Sequence, residues 1–402
     1  MIDKYYNGVI EQVVSGIGNV EHNSILVRYS NDFSIWDLES VNHYKDQSDI
    51  FFTCHEFSYN KIAEAYEPYL GLIRQMFHRY CSGTLEEFME ECDVYKLQRP
   101  VFESYFENGF CERTEQILID EVEYEQERMR NSIVTMLQKL SEIRPVVIVL
   151  NRFQLASKST MQLTNRLLQT KNKNIGIVLG VNDVQSIPEF AHEEWDAICE
   201  SMDDRNMVYH IGNAGRNMEP DVMDYYSDYE SDDGYRKLNN LVYFLDFDQA
   251  DHHLSKIERR IKFDNFTISE KKHYQLLLLQ IMVSVLQRDI AKALESCEDL
   301  EKLQDQEKEG AFYYNFWMAT SYMYLGKLEE AMIYVQKAKE CGEALGDDFL
   351  VFRAELLKAQ NQMSGWCNIF FCAQDIEISD KLIETLKAND IKNHLEHIYN
   401  IA

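Results

Sequence analysis

The stretch Pro145-Val146-Val147-Ile148-Val149-Leu150 constrains this chain more than any other. A proline is followed by five apolar residues, and the first four of them are β-branched. Branching at Cβ favours extended backbone, and an unbroken apolar run, unlike an alternating one, needs cover on both faces. The stretch therefore predicts a buried parallel strand, which in turn requires helices above and below it. It ends in Asn151-Arg152, so its carboxyl end carries an amide and a guanidinium.

The flanking sequence supplies the partners. A short helix over Tyr5 to Val14 and a Gly16/Gly18 loop precede a first strand, Ser24-Ile25-Leu26-Val27-Arg28. A helical stretch around Trp36 to His43 leads to a second strand, Ile50-Phe51-Phe52-Thr53-Cys54. Leu70, Ile73, Phe77 and Tyr80 recur at helical spacing, and a helical insert broken at Pro100 runs on to Phe110. A long Glu-rich helix over 113–142 feeds the central strand, and Met161, Leu163, Leu167 and Leu168 mark another helix beyond it. Strands at Ile175 to Val181 and Met207 to Ile211 flank a helix around Trp195. Strands alternating with helices give an α/β class: a parallel sheet of about five strands with helices on both faces.

After this the pattern changes. Residues 217–237 place Glu219, Asp221, Asp224, Asp228, Glu230, Asp232 and Asp233 among tyrosines and serines, which reads as an exposed acidic linker. No strand pattern returns beyond it. Ala319, Tyr322, Gly326, Ala331, Val335 and Ala338 follow the tetratricopeptide spacing, with small residues where two helices cross and Gly326 at the turn. Ile281, Ser284, Ala293, Cys297 and Leu300 repeat it more loosely; downstream, Ala359 takes up the pattern with a turn at Ser364-Gly365-Trp366. The expected domains are 1–216 (sheet), 217–237 (linker) and 238–402, an all-α tetratricopeptide-like solenoid.

Charge narrows the partners. Lys and Arg total 40 against 68 Asp and Glu, a formal charge of −28 that repels nucleic acid and anionic membranes. Nine cysteines with no C-x-x-C pair suit free thiols, and no apolar window reaches membrane length, so a cytoplasmic chain is expected.

Motifs for catalysis are missing. Hydrolases that use Mg²⁺ and nucleotide end the central strand in a carboxylate, whereas an amide binds the ion weakly and a guanidinium repels it. No G-x-x-x-x-G-K-[ST] run exists, and Tyr29-Ser30-Asn31-Asp32-Phe33-Ser34-Ile35-Trp36 after the first strand has neither glycine nor lysine. The run from Asp228 to Asn239 departs from a calcium loop at its glycine and its last ligand, His192-Glu193-Glu194-Trp195 lacks a second histidine, and His252-His253 diverge on a helix. Cys54-His55-Glu56 alternates across a strand, so the thiol and imidazole face opposite ways. No metal site is expected.

The order of elements, with Tyr66-Glu67-Pro68-Tyr69-Leu70, Arg144 to Asn151 and Phe153-Gln154-Leu155-Ala156-Ser157, resembles the AAA-type ATPase core of STAND signalling proteins fused to tetratricopeptide-like repeats. In that family the phosphate loop follows the first strand, the Walker B acid ends the proline-led strand, and a sensor residue follows the fourth, where this chain has Asn182. The resemblance implies a bacterial regulator, such as the front half of a LuxR-type or GGDEF-type protein. With the phosphate-loop lysine and Walker B acid absent, it implies a pseudo-ATPase: a non-catalytic signalling scaffold with no required cofactor. ATP, were it bound, would be held by Arg28, Asn151 and Asn182. The alternatives are a nucleotide-binding switch without efficient hydrolysis and the sensory part of a larger transcription factor or diguanylate cyclase. The expected partner is a protein captured on the helical repeats, with Trp317, Tyr322 and Tyr324 as aromatic candidates for that face. The sheet domain would serve as a rigid or self-associating platform.

Overall fold

A computed structural model describes residues 2–19, 23–29, 34–45, 49–58, 61–111, 122–170, 172–182, 187, 189–203, 208–211, 231–263 and 267–368. The chain divides into two compact units, Met1–His253 and Leu254–Ala402.

The first unit opens with helix α1 (Ile2–Gly16) and is built on a wholly parallel sheet. Its strands are β1 (Ser24–Tyr29), β2 (Phe51–Glu56), β3 (Val146–Asn151), β4 (Ile175–Asn182) and β5 (Val208–Ile211), in the order β2-β3-β4-β1-β5. Every residue of β3 and β4 is buried, as the unbroken apolar runs predict. The connection from β1 to β2 carries α2 (Glu39–Tyr44) and runs toward one edge; the other connections run the opposite way. They carry α3 (Tyr69–Tyr80), α4 (Leu85–Glu91), α5 (Arg99–Asn108), α6 (Val122–Ile143), α7 (Lys158–Thr170) and α8 (His192–Asp203). Right-handed crossovers of opposite direction put their helices on opposite faces. Accordingly α1 packs on β1, β3 and β4 beside α2, while α3, α6, α7 and α8 pack on one another in sequence.

The insert between α3 and α6 is helical as expected. Thr84 caps α4 in a capping box with Glu87, and Pro100 lies in the first turn of α5, where its missing N–H costs nothing. Residues 112–121, the start of the expected long helix, lie outside the described residues.

The domain boundary differs from the sequence-based one. Asp232 and Asp233 occupy the first turn of helix α9 (Asp232–Tyr243), where negative charge complements the helix dipole, and Ser231 caps it by accepting from the Gly234 N–H. The expected linker thus ends in a helix; residues 217–230 lie outside the described residues. Leu238, Leu241 and Val242 are buried, and Phe244 packs edge-on against Tyr66, Phe102 and Tyr105. Asp246 accepts from the Ser159 N–H at the start of α7 and from the Gln249 N–H, capping two helices at once. These contacts hold residues up to His253 in the first unit.

Helix α10 (Phe247–Phe263) begins in the first unit and ends in the second, which holds the antiparallel pairs α11 (Glu270–Leu286) with α12 (Ile290–Glu301) and α13 (Gly310–Tyr324) with α14 (Leu328–Leu345), then α15 (Asp348–Asn368). Ala293, Ala319, Ala331 and Ala338 are fully buried, and Gly326 turns the chain between α13 and α14 at φ 72°. The turn expected at Ser364-Gly365-Trp366 is absent: α15 runs through it. A lone glycine costs a helix only about 1 kcal/mol, too little to end one. Among the described residues no helix is long and apolar enough to cross a membrane.

Candidate functional site at the carboxyl edge of the sheet

In an open parallel sheet ligands gather outside the carboxyl ends of the strands, where successive connections leave on opposite faces. Here that place is the end of β1, β4 and β3, which stand side by side. Register fixes which residues share a face. Glu56 pairs with Asn151, Val149 with Val178, and Val27 with Gly180, so Glu56, Asn151, Gly180 and Tyr29 all face α1.

Gly180 shapes this corner. With no side chain on β4 there, the Tyr29 hydroxyl reaches across from β1 and donates to Asn151 Oδ1 at 2.8 Å. Tyr6 of α1 fills the same gap: a Cβ on residue 180 would collide with Tyr6 Oη and lie 2.5 Å from Asn151 Oδ1. Tyr6, Tyr29 and Asn151 are essentially inaccessible to solvent. The other arm of the Asn151 amide donates to Glu56 Oε1 at 3.4 Å, Arg152 Nη2 lies 3.5 Å from the same oxygen, and Ser34 Oγ donates to Glu56 Oε2 at 3.2 Å. Arg152 stands at φ 53°, a left-handed conformation that turns the chain sharply away from the strand end.

Electrostatics match this packing. Burial raises the Tyr6 phenol well above its ordinary range, with Tyr29, Cys54 and Glu56 adding to the effect. Burial pushes the Cys54 thiol up to about 12, against the opposing pull of Lys45. On the other face His55 is pushed down to about 4, by burial and then by Lys61, and lies against Glu67 and Phe57. Cys54 therefore stays a thiol and His55 a neutral imidazole, and the two do not meet.

Of the residues expected to hold nucleotide, Asn151 lies in this corner. Asn182 ends β4, where its N–H donates to Gln154 Oε1 at 3.2 Å, tying the Phe153-to-Ser157 run to the neighbouring strand. Arg28 points to the opposite face, where it donates to Cys199 Sγ at 3.1 Å and lies over the Trp195 ring of α8. The structure does not bring Arg28 and Asn151 together. Sequence reasoning missed Tyr6, Glu56 and Gly180. Glycines four apart in an otherwise apolar strand, Gly176 and Gly180, were the available signal, because they mark a close approach by another element.

Among the described residues, the polar groups of this corner are engaged with one another. The Asn151 amide is spent on Tyr29 and Glu56, and the carboxylate of Glu56 is engaged by Arg152, Asn151 and Ser34. Among the described residues no group of three His, Cys, Asp or Glu side chains could hold a metal ion.

The aromatic candidates of the helical unit separate into three situations. Trp317 is packed in the core beside Phe316, Tyr322 stacks on Tyr334 at 5.5 Å between ring centroids, and Tyr324 is exposed with the Arg288 guanidinium over its ring. Trp317 is therefore a packing residue, Tyr322 is half-buried, and Tyr324 is the exposed one of the three.

No protein-family model, curated protein or solved structure matches the chain.

Proposed function

We propose that this protein is a non-catalytic regulatory scaffold, in which a degenerate nucleotide-hydrolase-like sheet supports a helical unit that binds a protein partner. One observation carries the reading: the corner between β1 and β3 where phosphate and metal would lie is filled by the Tyr29–Asn151 hydrogen bond, closed over Gly180 by Tyr6. The strands that bear the phosphate loop, the acid and the sensor in the resembled family are neighbours here, β3-β4-β1, which supports descent from such a core. Their ends carry Tyr29, Asn151 and Asn182 in place of groups that grip phosphate and Mg²⁺. The second unit supports the binding role through its paired helices and the exposed Tyr324, Leu325 and Ile333 around the α13–α14 hairpin. On this reading the formal charge of −28 keeps nucleic acid away, and the partner is a protein.

The test is affinity capture from native extract with the full chain and with a Tyr324→Ala, Ile333→Ser variant. A specific protein retained by the wild type and lost by the variant supports the scaffold role. Identical recovery by both, or recovery of nothing, counts against it.

A further inference from the structure

We draw no further inference here: the strongest candidate, the exposed patch of Tyr324, Leu325 and Ile333 around the α13–α14 hairpin, belongs to the surface already proposed for a partner, and since its edge carries the cations Arg288 and Lys327 and the acids Glu329 and Glu330 alike, nothing in the structure shows what covers it.

Discussion

Gly180→Ala is the sharpest probe of the filled corner. At an unconstrained site this substitution stabilises a protein by about 0.4–1 kcal/mol, because the unfolded chain loses freedom. Here the new methyl would meet Tyr6 Oη and Asn151 Oδ1, two buried oxygen atoms on different elements. Neither can withdraw easily: Tyr6 lies on α1, pinned at its other end where Gly176 meets Val13 and Ile17, and Asn151 is held by Tyr29 and Glu56. Overpacking of this kind costs about 1–3 kcal/mol. Displacing Asn151 from Tyr29 leaves buried polar groups unpaired, a further cost of about 1–3 kcal/mol. The net loss is about 3 kcal/mol, opposite in sign to the generic effect. It is read from urea-dependent hydrogen exchange of the 175–182 amides, which reports this unit alone. Adding Tyr6→Phe removes one of the two oxygens and returns roughly 1 kcal/mol, a coupling expected of residues in contact. A stability equal to or above wild type for Gly180→Ala alone would refute the reasoning, since the corner would then be open.

Other substitutions follow from the same geometry. Asn151→Asp places a second carboxylate beside Glu56, 3.4 Å away in the wild type, and costs about 2 kcal/mol in urea unfolding without creating ATP turnover in a phosphate-release assay. Asn240→Ala strips the partner from the Cys111 N–H and lowers protection of the 232–243 amides, corresponding to about 2 kcal/mol. Trp317→Ala costs the helical unit about 3–5 kcal/mol as a core truncation, whereas the exposed Tyr324→Ala stays within about 0.5 kcal/mol; thermal unfolding of the two variants separates packing from surface.

The parts of the fold that were legible in the sequence are those where one local signal decides. The apolar runs at Val146 to Leu150 and Ile175 to Val181 gave β3 and β4 because both faces are covered, and Gly326 with its flanking alanines gave the α13–α14 hairpin. At its described end the expected linker is helical, because Asp232 and Asp233 suit the first turn of a helix as well as a solvated loop, and the packing of Leu238, Leu241 and Phe244 decides between the two. The site was half legible. Asn151 announced itself by standing where a carboxylate was expected, but strand order and register decide that Tyr29 can reach it and that Arg28 cannot. Those are properties of non-local pairing, and no window of sequence contains them.

Equilibrium binding of Mg²⁺–ATP to the full chain, followed by calorimetry with phosphate release in parallel, tests the central claim most directly. A corner filled by Tyr6, Tyr29 and Asn151 predicts no saturable heat and no thermal stabilisation at millimolar ATP. Saturable binding at micromolar concentration, or turnover above the uncatalysed rate, would contradict it.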